Sequence, residues 1–184
     1  PYFMTAVYNI LSYNVPFAIL TAFGGIYAKD VFGASYAQIE LLFAVFFAAS
    51  FTVRLILSVK HFEALFNLTY FGITLTLVGL TLMAISRSLF MLAVAFLLLG
   101  VPHGLTYPIS LIYISRGFEE KLRNAANSFF FSIMMIIGVA VPFLAGAVIT
   151  LIGMRLAYFS LILPVVILLI LIRLNQQRLN RFTA

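Results

Sequence analysis

Residues 89–115 read LFMLAVAFLLLGVPHGLTYPISLIYIS, and this run decides how the chain folds. It holds no Asp, Glu, Lys or Arg. It exceeds the about 20 apolar residues that a helix needs to cross a hydrocarbon core of ~30 Å. Barrel strands are about 10 residues long and alternate in polarity, whereas this run is apolar on both parities. It reads as a membrane-spanning helix. Its oddity is residues 100–110, GVPHGLTYPIS, where glycines, prolines, a histidine, a threonine, a tyrosine and a serine crowd into an otherwise oily segment.

The rest of the chain repeats the pattern. Of 184 residues, 64% are hydrophobic and 9% charged, with mean hydropathy +1.16. A soluble domain is about a quarter charged, so the solvent for most of this surface is the lipid bilayer. The remaining apolar runs place five further spans at 3–28, 36–59, 63–85, 124–151 and 154–174, with short polar connectors between them. The expected fold is an all-α membrane protein with a six-helix bundle over 1–174 and a polar tail over 175–184. The chain opens on Pro1 rather than Met, which gives the expectation of a piece of something longer.

An even number of spans puts both termini on one face. That face carries Arg54, Lys60, Arg116, Lys121, Arg123, Arg173, Arg178 and Arg181, against Lys29, Arg87 and Arg155 on the other. The positive-inside bias predicts cytoplasmic termini. The formal charge of +6 is scattered among apolar runs with no basic face, so no nucleic-acid partner is expected.

A helix turns ~100° per residue, so positions three, four and seven apart share a face. His103, Thr106, Tyr107 and Ser110 form one polar stripe. Thr5, Asn9, Ser12, Tyr13 and Pro16 form another on the first span, with Tyr8 beside them and Asn14 pointing elsewhere. Polar groups at bilayer depth face other helices or a water-filled cavity. Gly100 and Gly104 let a neighbour approach closely, and Pro102 and Pro108 bend the helix. The expected cavity-lining or substrate-binding set is Tyr8, Asn9, Tyr13, His103, Thr106, Tyr107 and Ser110. His103 is also the candidate for proton coupling, because an imidazole's reference pKa of ~6.5 is easily moved across physiological pH. Plainer roles stand beside these. Thr106 and Ser110 can bond their own helix backbone, Asn9 and Tyr13 can bridge helices, and His103 can be a packing residue. The runs FFAASF and SFFFS read as packing or lipid-facing surface. Polar stripes and prolines on the first and fourth spans suggest a three-plus-three repeat.

Several chemistries lack their parts. There is no Cys and only two His, too few ligands for a metal centre of the usual kind. The acids Asp30, Glu40, Glu63, Glu119 and Glu120 lie almost entirely near span ends, and no Gly-rich nucleotide loop is present. No enzyme activity, cofactor or metal is expected.

The stretch from Gly100 to Phe159 resembles the major facilitator superfamily. Gly100, Gly104 and Pro108 match its G-x-x-x-G-x-x-x-P fourth-helix run. Arg123, Ala126 and Ser128 match an R-x-x-A-x-[GS] loop. Gly138, Ala145 and Gly146 match small residues of its fifth helix, while Gly153, Arg155 and Tyr158 match its sixth-helix turn, with Met154 where tryptophan is usual. The loop between spans two and three, RLILSVKHFEALFNL, lacks the glycines and aspartate typical of an amino-terminal half. The resemblance therefore implies the carboxy-terminal half of a twelve-helix carrier. It implies a secondary transporter that moves a small solute by alternating access, with spans one and four lining the cavity and a second six-helix half as partner. It also implies close contacts of the fifth helix at Gly138 and Gly146. The competing expectation is a non-transporting multipass assembly or receptor module.

Overall fold

A computed structural model describes residues 1–59 and 64–183, with side chains through 180. Lys60 and Glu63, named above, lie outside the described residues together with His61 of the same loop, as does the side chain of Arg181. The elements are α1 (Tyr2–Phe32), α2 (Tyr36–Val59), α3 (Leu65–Ile85), α4 (Leu89–Gly117), α5 (Glu120–Ile152), α6 (Met154–Ser160) and α7 (Ile162–Thr183). Among the described residues there are 6 spans long and apolar enough to cross a membrane, α6 and α7 together making the sixth over Met154–Asn180.

The turn chemistry sets where helices start and stop. Gly33 ends α1 at φ 67°, a left-handed conformation that glycine adopts without a Cβ penalty. Ser35 and Gln38 then form a reciprocal capping box: the Ser35 N–H donates to Gln38 Oε1 at 2.9 Å and the Gln38 N–H donates to Ser35 Oγ at 3.3 Å. Ser88 caps α4 by accepting from the Met91 N–H at 3.2 Å. At the far end of α4, Arg123 Nε donates to the Phe118 carbonyl at 3.0 Å, placing a cation where helix carbonyls are unsatisfied.

α4 is the central helix, packed against α1, α2 and α3. Gly100 and Gly104 face α2 so closely that a Cβ on Gly100 would lie 2.2 Å from the Phe46 carbonyl oxygen, and one on Gly104 2.5 Å from that of Ser50. On the other side, Asn9 Nδ2 donates to the Thr106 carbonyl at 3.1 Å and to Ser110 Oγ at 2.9 Å, and Ser110 Oγ donates to the Ala6 carbonyl at 3.2 Å. Tyr13 OH donates to the Leu99 carbonyl at 2.7 Å. In lipid no hydrophobic force drives helices together, so these bonds and close backbone contacts carry the association. Asn9→Leu is expected to lower bundle stability by about 1 kcal/mol. A denaturation cycle with Ser110→Ala in detergent checks it, and strict additivity of the two changes would exclude the bond as the cause.

Helix α7 runs unbroken past residue 174, and the buried Asn175 donates to the Pro1 carbonyl at 2.9 Å and to Thr5 Oγ1 at 3.1 Å. Chain start, α4 end and α7 end therefore share one end of the bundle. At the other end, Tyr27 OH donates to the Met83 carbonyl at 2.8 Å, and its ring lies 5.4 Å from that of Tyr158. Tyr158 is fully buried with no hydrogen-bond partner for its hydroxyl among the described residues. Tyr158→Phe is accordingly expected to be neutral or to stabilise by up to about 1 kcal/mol, because it removes an unpaired buried polar atom. Tyr113→Phe, which loses the 3.1 Å bond to Thr69 Oγ1, should cost about that much. Thermal unfolding of both variants checks the opposite signs.

Candidate functional site

The two polar stripes meet along the α1–α4 seam, but the seam divides them. Asn9, Tyr13, Thr106 and Ser110 are buried and hydrogen-bonded there. Thr106 Oγ1 also donates back to the Pro102 carbonyl at 2.6 Å, the local bond open to an intramembrane threonine. Tyr8 and His103 are half-buried, and Tyr107 is 36% exposed with its ring 6.4 Å from Phe130 of α5. α1 contacts α4 on both sides of His103, through Asn9 at Ser110 and through Tyr13 at Leu99. α1 covers α4 at Ser110, whereas at His103 it leaves the imidazole at a junction of three helices.

That junction is the best-defined polar site on the open face. Ser50 Oγ of α2 lies 2.8 Å from His103 Nδ1, a hydrogen bond in which the hydroxyl donates to one tautomer and accepts from the other. Phe17 of α1 lies 4.4 Å from the imidazole centroid, with Phe46 at 5.1 Å, Phe47 at 5.8 Å and Tyr13 at 5.9 Å. Four aromatic rings and one hydroxyl thus hold the imidazole. Its Nε2 has no hydrogen-bond partner among the described residues and is not sealed in the interior. Arg54 lies one turn along α2 from Ser50.

Sequence reasoning passed over three residues of this region. Ser50 sits inside FFAASF, where the apolar context hid it. Its signal is a helical row, Leu42, Phe46 and Ser50, four residues apart and all buried against α4. Phe17 looked like one aromatic among many. Asn14, set aside as pointing away, donates from Nδ2 to the Met134 carbonyl of α5 at 3.2 Å. It lies on the same open side of α1 as Phe17, beside a groove between α1 and α5. The expected close contact at Gly138 is not found: a Cβ there would meet nothing within 4 Å, and the glycine lines that groove. Gly146 does approach a neighbour, with the Phe23 ring 3.5 Å from its notional Cβ.

Six apolar spans and a glycine-packed fourth helix define an integral membrane protein with an all-helical bundle. The Major Facilitator Superfamily profile matches residues 2–181, and the chain belongs to that family. The chain, at 184 residues, is roughly half-size and corresponds to a half-bundle of six transmembrane helices. No curated protein matches it.

Proposed function

We propose that this bundle is half of an alternating-access secondary carrier, with His103 exchanging the coupling proton. The observation that supports this most directly is the imidazole's setting. One ring nitrogen is held by Ser50, the ring is fixed by Phe17 and Phe46, and Nε2 is free to take or give a proton toward the open face. Either tautomer of the neutral ring is compatible with Ser50, so protonation does not require breaking that site's geometry. Intramembrane titratable groups are functional by default.

The second six-helix bundle, from the same parent chain or a paired copy, covers the face made by α1 and α4 with α2 and α5 at its flanks. The partly accessible Tyr8, His103 and Tyr107 on α1 and α4 support the reading. Rocking of one bundle on the other gives a solute near the midplane access to each side in turn. Tyr8, His103 and Tyr107 line the pathway. Asn9, Tyr13, Thr106 and Ser110 set the α1–α4 angle behind it. The basic end, with both termini, lies in the cytoplasm.

Proteoliposome flux through the assembled carrier, with both six-helix bundles present, tests the reading. The expected result is saturable uptake of at least one solute from a chemically diverse panel, with a solute-dependent change in lumenal pH. Folded protein that moves no solute overturns the carrier, and uptake without proton movement overturns the coupling.

A further inference from the structure

The α1–α5 groove encloses about 360 Å³, within the usual range for a small-molecule site. Its wall combines Asn14, Phe17 and Thr21 of α1 with Phe131, Met134 and Gly138 of α5. Phe17 ties it to the junction above, since the ring that lines the groove also lies 4.4 Å from His103. Phe17 is thus shared between the groove and the junction.

Its chemistry is selective. No lining side chain carries a charge. Two phenyl faces and the thioether of Met134 provide a polarisable, adaptable apolar wall. The absent side chain at Gly138 keeps the floor open. The hydrogen-bonding groups are amide and hydroxyl. Thr21 Oγ1 spends its proton on the Phe17 and Ala18 carbonyls, at 3.0 and 3.1 Å, and keeps only acceptor capacity. Asn14 uses one N–H on Met134 and retains its carbonyl oxygen and its second N–H. An ion placed here would lose its water without gaining a counter-charge. A neutral ligand with an amide-like edge would find both a donor and an acceptor at Asn14, and its flat apolar body would find Phe17 and Phe131.

Resting on the carrier reading, we infer that this groove is a substrate subsite for uncharged, flat, largely apolar molecules bearing a hydrogen-bonding edge, and that Asn14 reads that edge. Such an occupant touches Phe17, one ring from the proton-exchanging imidazole.

Four probes share one phenyl body and differ only in the polar group: benzamide, N,N-dimethylbenzamide, benzoate and benzamidine, which is protonated at neutral pH. Calorimetric binding to the purified full chain is expected to rank benzamide at least tenfold tighter than each of the other three. Asn14→Leu should bring benzamide down to the level of its dimethyl analogue. Gly138→Leu, which fills the groove where a Cβ meets nothing, should weaken benzamide at least tenfold while leaving the unfolding temperature unchanged or higher. Benzoate or benzamidinium binding as well as benzamide, no benzamide binding at all, or both variants keeping the benzamide preference would overturn the inference. Binding is read without flux, so the two readings fail separately. Preference without transport sinks the carrier, and transport without preference sinks the subsite.

Discussion

Gly100→Val is expected to unseat α2 from α4 and to cost the bundle about 3 kcal/mol, the upper part of the usual range for overpacking a well-packed contact. The reason is the identity of the neighbour. A Cβ at this position would lie 2.2 Å from a backbone carbonyl oxygen and 2.9 Å from Ala49 Cβ. A side chain can rotate out of the way, but a carbonyl bonded into its own helix moves only with the helix. The consequence reaches the site, because Ser50, which holds His103, lies one turn further along the same face of α2. Unfolding in detergent should show the destabilisation, and proton movement should fall with it. Gly138→Val is the control: the same substitution on another glycine of the bundle meets nothing within 4 Å. Equal losses at the two positions would show that helix contact is not the cause.

His103→Gln should remove solute-linked proton movement by at least tenfold while solute exchange persists. Glutamine can keep a hydrogen bond to Ser50 from the same position but cannot take up a proton near neutral pH. The folded structure is expected to survive, since α1 and α2 are held to α4 by Asn9, Tyr13 and the two glycines rather than by the imidazole. Lumenal pH in proteoliposomes, followed as solute is added, measures the effect directly. An active variant with unchanged coupling and unchanged pH dependence would leave His103 as a packing residue.

The sequence by itself determined the spans, the class and the family. Hydrophobic length is a local property, and a bilayer leaves a long apolar run little choice but a helix with its backbone bonds satisfied inside itself. The stripes were legible too, because 3.6-residue periodicity fixes which side chains share a face. What each face meets was decided only by tertiary structure. Ser110 is sealed against α1, while His103, two turns away on the same helix, sits where α1, α2 and α4 meet. Asn14, Phe17 and Ser50 became part of the site through residues 53 to 120 positions away in sequence, partners that no periodicity within one helix can reveal. Gly100 and Gly138 look alike in the chain, yet one is jammed against a carbonyl and the other faces open space. Composition and periodicity dictate that helices form and which faces are polar; the packing of one helix on another dictates which polar groups pair and which remain available for chemistry.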